Sequence, residues 1–227
     1  MSLKIKSWKK IITRSFWGVF TILIAGFFIR VVIWENHYYQ SKEGSPRAIS
    51  ATESTGPEVD ETEPTLNIIT EHSVAPKNPR YLTIPKIGVD HARIFAVGLK
   101  PNNEISTPSN IFDVGWYDAS GKPGQGDTIV LDGHNGGPSK VGVFKYLPVL
   151  SVGDIITIER GDGKIFSYEV FDNVTIPLSQ ADDYMATAFA SPVPRKESLS
   201  LITCTGEWSA TQKTYLSRQF VRAVLKN

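Results

Sequence analysis

One cysteine offers the clearest chemistry in this chain of 227 residues. Cys204 ends the largely apolar run Ser200–Cys204 and is followed by Thr205 and Gly206. We expect a strand that runs into a polar, glycine-containing turn, which would hold the sulfur at the mouth of a sheet. A lone cysteine is more often an inert core residue. An unpaired thiol outside the cytoplasm, however, is exposed to oxidation, so its presence there calls for a reason. Both interpretations stand on this observation.

His134 follows a second apolar strand pattern, Thr128–Leu131, and lies in a turn rich in glycine. An imidazole near a thiol can take its proton and later return a proton to a leaving amine, which are the two tasks of acyl transfer. The alternative is a turn histidine with ordinary solvent contacts. His37, His72 and His91 are weaker candidates, because the first two lie in the N-terminal third and the last precedes a strand.

Arg218 opens the apolar segment 218–225 and supplies a permanent cation for an oxyanion or a substrate carbonyl. Arg222 competes for this role. Four residues along a strand span about 13 Å, so only one of the two arginines can reach a given site. Arg218 lies nearer to the point where the chain returns from Cys204. The alternative is a solvated charge at a sheet edge.

The sequence pattern of residues 81–227 is typical of an all-β domain, because short runs of β-branched and aromatic residues alternate with Gly, Pro, Asn and Asp. Gly161–Gly163 predicts a tight hairpin, and short helices are predicted at Phe144–Leu150 and within Gln180–Ala190. Many short strands with few helices favour a sandwich or a closed barrel. The candidate strands are Tyr81–Ile84, Ala92–Val97, Thr128–Asp132, Ile155–Glu159, Ile165–Val174, Leu199–Thr203 and Gln219–Leu225.

The N-terminal 80 residues predict an anchor and a spacer. Residues 1–34 carry six cations and no acid, and Phe16–Trp34 gives 19 mostly apolar residues, close to the roughly 20 that cross a bilayer. We therefore predict a basic cytoplasmic segment at 1–14, a transmembrane anchor at 15–34 and a flexible extracytoplasmic linker at 35–80, with the domain outside the cell membrane. A cleaved secretory signal is the alternative, although no small-residue cleavage site follows the apolar run.

Charge and cysteine content exclude several function classes. The formal net charge is +1, but residues 35–227 hold 18 Lys and Arg against 23 Asp and Glu, a net of −5. A mildly acidic domain without a basic stripe argues against nucleic acid as a partner. A single cysteine excludes an internal disulfide framework, and four scattered histidines argue against a Cys/His zinc cage.

Taken together, these residues resemble the sortases, membrane-anchored cysteine transpeptidases of mainly Gram-positive bacteria. Leu201–Cys204 is similar to the family's apolar-x-Thr-Cys signature, Gly133–His134 to its histidine motif, and Arg218 to its arginine strand. Ile84–Val89 resembles the opening strand, and Gly115–Tyr117 resembles a Gly-Trp-Tyr turn of one subgroup. The resemblance covers roughly residues 80–227.

The resemblance implies a closed, roughly eight-stranded β-barrel with short helices. It also implies that Cys204 attacks the Thr–Gly bond of an LPXTG-like sorting signal, with His134 as the acid and base and Arg218 as the oxyanion stabiliser. Thr203 would help to position the substrate backbone. The implied partners are surface proteins with a C-terminal sorting signal and an amine from a cell-wall precursor or a pilin. Some sortases bind calcium through acidic loop residues, but no matching cluster is evident, and no metal or cofactor is predicted.

Two other functions remain open at the level of sequence. An anchored thiol endopeptidase would use the same residues and release its product to water. A non-enzymatic adhesion module would keep the barrel without the chemistry. The sequence also leaves open whether the end of the linker, such as Ser73–Arg80, covers the cleft.

Overall fold

Eight strands close into one barrel in the computed structural model, which describes residues 59–101 and 103–226. The strands are β1 (Pro79–Ile84), β2 (Val89–Val97), β3 (Val114–Tyr117), β4 (Thr128–Gly133), β5 (Ile155–Arg160), β6 (Ile165–Pro177), β7 (Ser198–Ser209) and β8 (Thr214–Leu225). Around the barrel their order is β1-β2-β3-β4-β7-β8-β6-β5, and the β1–β5 pair closes it. The β2–β3 and β4–β7 pairs are parallel, and the other pairs are antiparallel.

The helices in the described part of the chain are few and short. They are α1 (Leu66–Glu71), α2 (Leu178–Ala188) and two 3-10 turns, Pro85–Ile87 and Leu147–Val149. The prediction of an all-β closed barrel with short helices is therefore confirmed. None of the helices in residues 59–101 and 103–226 is long and apolar enough to cross a membrane. The predicted basic segment at 1–14 and the predicted anchor at 15–34 lie outside the described residues.

Each of the seven predicted strands corresponds to a strand of the barrel, and the Gly161–Gly163 hairpin joins β5 to β6. The strand that the sequence did not predict is β3, whose Gly-Trp-Tyr stretch was interpreted as a turn. It pairs in parallel with β2 and antiparallel with β4. The helix predicted at Phe144–Leu150 is only the 3-10 turn Leu147–Val149, because Pro148 cannot donate a backbone hydrogen bond within a longer helix.

The polar turn predicted directly after Cys204 is wrong. β7 continues to Ser209, and its register with β8 shifts between Thr205 and Trp208. Gly206 lies in this irregular stretch with a φ of 84°, a left-handed conformation that glycine adopts without strain. The glycine therefore marks a bulge within a long hairpin, and the chain reverses only after residue 209.

The last part of the segment predicted as a flexible linker is structured. Residues 60–80 include α1, which Thr65 caps through its side chain, and the first residues of β1. The Tyr81 hydroxyl donates hydrogen bonds to the backbone carbonyls of Ile69 and His72. α1 buries none of its side chains, so hydrogen bonds to its backbone carbonyls, rather than apolar burial, hold this helix. The structured domain thus begins by residue 59 and not at residue 81.

Two hydrophobic clusters lie on opposite sides of the barrel wall. The larger cluster fills the interior and includes Leu201. The smaller cluster joins α2 to the outer face and includes Ile202 and Phe220. Successive residues of a strand point to opposite faces, so Thr203 follows Leu201 inward and Cys204 follows Ile202 outward. The barrel therefore presents Cys204 on the face that α2 partly covers.

Candidate active site

Strand register brings the three predicted catalytic residues to one end of the barrel. Asp132 and Ile202 form the last pair of the parallel β4–β7 ladder. His134 and Cys204 each lie two residues beyond that pair. Cys204 is in turn the register partner of Arg218 across β7 and β8. The three residues thus follow one another across β4, β7 and β8 at the same level.

His134 is the first residue after β4, and one hydrogen bond fixes its ring. Its Nε2 atom lies 2.8 Å from the carbonyl oxygen of Pro108. Because a carbonyl oxygen can only accept, Nε2 carries the proton, and Nδ1 remains as the nitrogen that can accept one. Burial lowers the pKa of His134 below its usual value. At neutral pH the ring is therefore uncharged and can act as a base.

Cys204 lies partly exposed at the outer face of β7. Burial raises the pKa of its thiol, and the carboxyl groups of Asp132 and Glu104 raise it further, whereas the guanidinium of Arg218 lowers it. The raising effects prevail, so the group is a protonated thiol at neutral pH. A base must take this proton before the sulfur can act as a nucleophile.

The Arg218 side chain is fully buried. Its Nη1 atom donates to the carbonyl oxygens of Tyr215 at 2.9 Å and Ser217 at 3.0 Å, and Nη2 lies 3.3 Å from Thr214 Oγ1. These bonds tie the guanidinium to the β7–β8 hairpin. Burial lowers the pKa of Arg218, and its proximity to Cys204 and to the acidic side chains of Glu104 and Asp182 opposes this effect.

Arg222, the competing arginine, lies elsewhere on β8. Its guanidinium forms a two-point ion pair with Asp172 on β6, and its register partner on β7 is Ser200. Ser200 precedes Cys204 by four residues, so Arg222 lies about 13 Å along the strand from the sulfur. The geometry therefore favours Arg218 as the cation of the site.

Thr203 does not share a face with Cys204. Its side chain is 1% exposed, and its hydroxyl donates to the carbonyl oxygen of Gly133 at 2.8 Å. This bond joins β7 to the residue directly before His134. Thr203 thus joins the cysteine strand to the residue before His134, and its side chain lies on the face of β7 opposite to that of Cys204.

The sequence did not identify Asp132 as part of this region. Its side chain is fully buried, and neither carboxyl oxygen makes a well-formed hydrogen bond within the described residues, although the Thr107 side chain lies close enough to act on its pKa. Burial raises its pKa well above the usual value. An aspartate directly after the apolar run Ile129–Leu131 is a signal that could have revealed it, because buried carboxyl groups are rare in strands.

The connection between β2 and β3 supplies the other residues that the sequence missed. Glu104 is 7% exposed and lies 3.8 Å from the Lys100 ammonium. It adds negative charge beside both Cys204 and Arg218. Pro108, later in the same connection, accepts the hydrogen bond of His134. No local pattern could have revealed these contacts, because they depend on how the connection folds back. No metal-binding group of three His, Cys, Asp or Glu occurs in the described ranges.

Comparison with known proteins decides the family. The model of the sortase domain matches residues 82–226. The chain belongs to the sortase family. No curated protein matches the sequence significantly.

Solved sortase structures resemble this chain in fold. Group B Streptococcus pilus island 1 sortase C2 is 18% identical, with 87% of this chain and 96% of that chain covered at a TM-score of 0.50. A lid mutant of sortase A from Corynebacterium diphtheriae is 24% identical, with 70% of this chain and 74% of that chain covered at a TM-score of 0.48. Clostridium perfringens sortase D5 is 22% identical, with 70% of this chain and 84% of that chain covered at a TM-score of 0.46. At such identities the likeness concerns the fold alone.

Proposed function

We propose that this sortase-family protein is a cysteine transpeptidase that cleaves an LPXTG-like sorting signal between Thr and Gly. The acyl group passes through a thioester on Cys204 to an amine of a cell-wall precursor or a pilin. The single observation that carries the proposal is the register of three adjacent strands, which aligns His134, Cys204 and Arg218 at one barrel end.

In the acylation step, Nδ1 of His134 takes the thiol proton, and the Cys204 sulfur attacks the carbonyl carbon of the substrate threonine. Negative charge develops on the carbonyl oxygen, and the Arg218 guanidinium stabilises it. The carbon–nitrogen bond to glycine then breaks. The imidazolium of His134 returns its proton to the leaving amino group, and the thioester remains on Cys204.

In the transfer step, the incoming amine attacks the thioester carbon, and His134 accepts a proton from that amine. The carbon–sulfur bond breaks, and the thiolate of Cys204 recovers the proton. The products are a new amide and the resting enzyme. Water competes with the amine for the thioester, so a site that admits water poorly favours transfer over hydrolysis.

The remaining roles follow from the same proposal. Thr203 acts as a positioning residue for the Gly133–His134 turn, in place of the substrate contact that the resemblance implied. The partners are surface proteins that carry a C-terminal sorting signal. The N-terminal segment anchors the protein in the cell membrane with a single pass, and the barrel faces outward. Tethering enzyme and substrate to one membrane raises their effective concentration.

The test is a ligation assay with purified full-length protein, a peptide that contains the LPXTG motif, and an amine such as triglycine. Mass spectrometry should detect the ligated peptide and the released C-terminal fragment. The Cys204→Ala protein should form neither, and Arg218→Lys should form much less of both. If Cys204→Ala makes as much product as the parent, the proposed nucleophile is wrong.

The same assay separates transfer from hydrolysis. An endopeptidase would yield only the hydrolysed peptide even at high amine concentration. A non-enzymatic adhesion module would yield no cleavage, and its Cys204 would be unreactive towards mild alkylating reagents, both before and after His134→Ala. Either result would contradict the proposal.

A further inference from the structure

Two acidic residues upstream of the barrel contact both of the elements that hold His134. Asp60 and Glu61 precede the matched sortase domain, which begins at residue 82. They also lie in the segment for which the sequence predicts no contact with the domain. Their hydrogen bonds lead to the loop that follows His134 and to the segment that contains Pro108.

The first element is the loop at residues 135–143. It is a tight hairpin, closed by a hydrogen bond of 2.8 Å from the Gly142 amide to the Asn135 carbonyl. Its tip consists of Ser139 and Lys140. The carboxylate of Glu61 accepts hydrogen bonds from the Ser139 amide at 2.8 Å, from the Lys140 amide at 2.9 Å and from the Ser139 hydroxyl.

Glu61 fits closely against this loop. A Cβ atom at Gly137 would lie 2.3 Å from Oε1 of Glu61, so a larger residue there would displace the carboxylate from its position against the loop. The hydrogen bonds from Ser139 and Lys140 lower the pKa of Glu61. At neutral pH the group is therefore ionised, and hydrogen bonds to a charged acceptor are stronger than those to a neutral one.

The second element is the segment at residues 108–111. The Asp60 amide donates to the Ser109 carbonyl at 3.0 Å, and the Ile111 amide donates to the Asp60 carbonyl at 3.0 Å. The Asn110 side chain donates to Asp60 Oδ2 at 2.9 Å. The residue before Ser109 is Pro108, whose carbonyl holds Nε2 of His134. Asp60 thus fixes the segment that fixes the histidine ring.

We propose that Asp60 and Glu61 form a clamp that positions His134 for proton transfer; this inference rests on the proposed transpeptidase function. The clamp joins the loop after His134 to the segment that binds its ring, and it does not touch the substrate. Glu61 is therefore a positioning residue. The catalytic unit of this chain begins at the clamp and not at the first strand of the barrel.

Loss of the clamp should affect catalysis more than substrate binding. Without Glu61 the loop tip at Ser139 and Lys140 loses its acceptor, and the His134 ring samples orientations that do not face the thiol. Misplacement by about 1 Å can cost as much as about 100-fold in rate. We expect kcat of Glu61→Ala to fall about tenfold and KM to stay within about twofold of the parent value.

The experiment compares full-length parent, Glu61→Ala, Glu61→Gln and Glu71→Ala proteins in the peptide assay, with amide hydrogen exchange measured on each. Glu71 lies at the exposed end of α1, and its substitution removes the same charge from the same segment. Glu61→Gln keeps one oxygen as an acceptor and should give an intermediate kcat. In Glu61→Ala the Ser139 and Lys140 amides should exchange about tenfold faster.

The outcomes separate the clamp from the proposed function. A folded Glu61→Ala protein with the parent's kcat overturns the clamp, and so does a rise in KM at constant kcat, which would indicate a substrate contact. An equal loss in Glu71→Ala also overturns it. If the parent forms no product, the proposed function fails. In that case amide hydrogen exchange at Ser139 and Lys140 still tests the clamp, because it needs no catalytic activity. If these two amides remain as protected in Glu61→Ala as in the parent, the clamp is refuted.

Discussion

Gly115 and Asp132 face each other across β3 and β4, and their contact predicts a specific steric conflict. A Cβ atom at Gly115 would lie 2.3 Å from Oδ1 of Asp132, 3.0 Å from Cδ of Pro108 and 3.2 Å from Cγ2 of Val97. The Asp132 side chain is fully buried and cannot swing into solvent. We therefore expect Gly115→Ala to destabilise the protein.

The magnitude follows from the contacts. Overpacking a core costs about 1–3 kcal/mol, and a contact as short as this one indicates about 2–3 kcal/mol for Gly115→Ala. Asp132→Ala removes a buried carboxyl that makes no well-formed hydrogen bond, which offsets the small cavity it leaves, so we expect a change within about 1 kcal/mol. In the double variant the added methyl group occupies part of the vacated space. The two changes should therefore couple favourably by about 1.5–2 kcal/mol.

Urea denaturation of the parent, both single variants and the double variant measures this coupling. Gly98→Ala is a matched control, because a Cβ atom at Gly98 meets nothing within 4 Å. Its effect should stay within about 0.5 kcal/mol. If the free energies of unfolding of Gly115→Ala and Asp132→Ala add without coupling, the carboxyl group does not occupy the space above Gly115, and the description of this region is wrong.

Three further predictions concern the candidate site and the strands that carry it. The pKa of Asp132 is raised on folding, so the folded protein retains a proton that the unfolded chain releases above about pH 3.9. The contribution of Asp132 to stability should therefore fall as pH rises from there towards neutrality. Asp132→Asn should remove this contribution, so the difference in unfolding free energy between the parent and Asp132→Asn should change between pH 4 and pH 7, which denaturation of both proteins measures. Thr203→Val leaves the Gly133 carbonyl without its buried donor and should cost about 1–3 kcal/mol and lower kcat, whereas Thr203→Ser should retain both properties. Arg222→Ala breaks the ion pair with Asp172 and should lower thermal stability while peptide cleavage continues. Arg218→Lys, in contrast, should reduce peptide cleavage. Equal losses of cleavage in the two variants would contradict the assignment of Arg218 as the cation of the site.

The sequence places the candidate site residues correctly relative to the strands, because each lies within or beside an apolar run. Gly133–His134 follows β4, and Cys204 and Arg218 lie within β7 and β8. Periodicity identifies such strands, since their residues alternate between the barrel interior and the outer face. The same alternation explains why Thr203 was assigned to the substrate. A sequence motif groups Thr203 with Cys204 because they are adjacent, but the side chains of adjacent residues in a strand point to opposite faces.

Other features depend on contacts that no local pattern contains. Glu61 contacts residues 78 and 79 positions later in the chain, and the segment around it is polar and poor in periodicity. Composition therefore predicts a flexible linker, whereas distant backbone amides supply the partners that order it. β3 was missed for a related reason. Gly115 is a poor strand former, but the absence of a side chain there makes room for the Asp132 carboxyl.

The charges around Cys204 affect how easily this unpaired thiol is oxidised. A thiolate is the form that oxidants attack, so a cysteine that stays protonated is protected. Burial, Asp132 and Glu104 all raise the thiol pKa, and Arg218 alone cannot reverse this. A resting pair of neutral thiol and neutral imidazole follows, because burial also lowers the pKa of His134. In the proposed mechanism, activation therefore requires a base held at the correct position, and the contacts that fix the His134 ring, such as its hydrogen bond to Pro108, would set the rate.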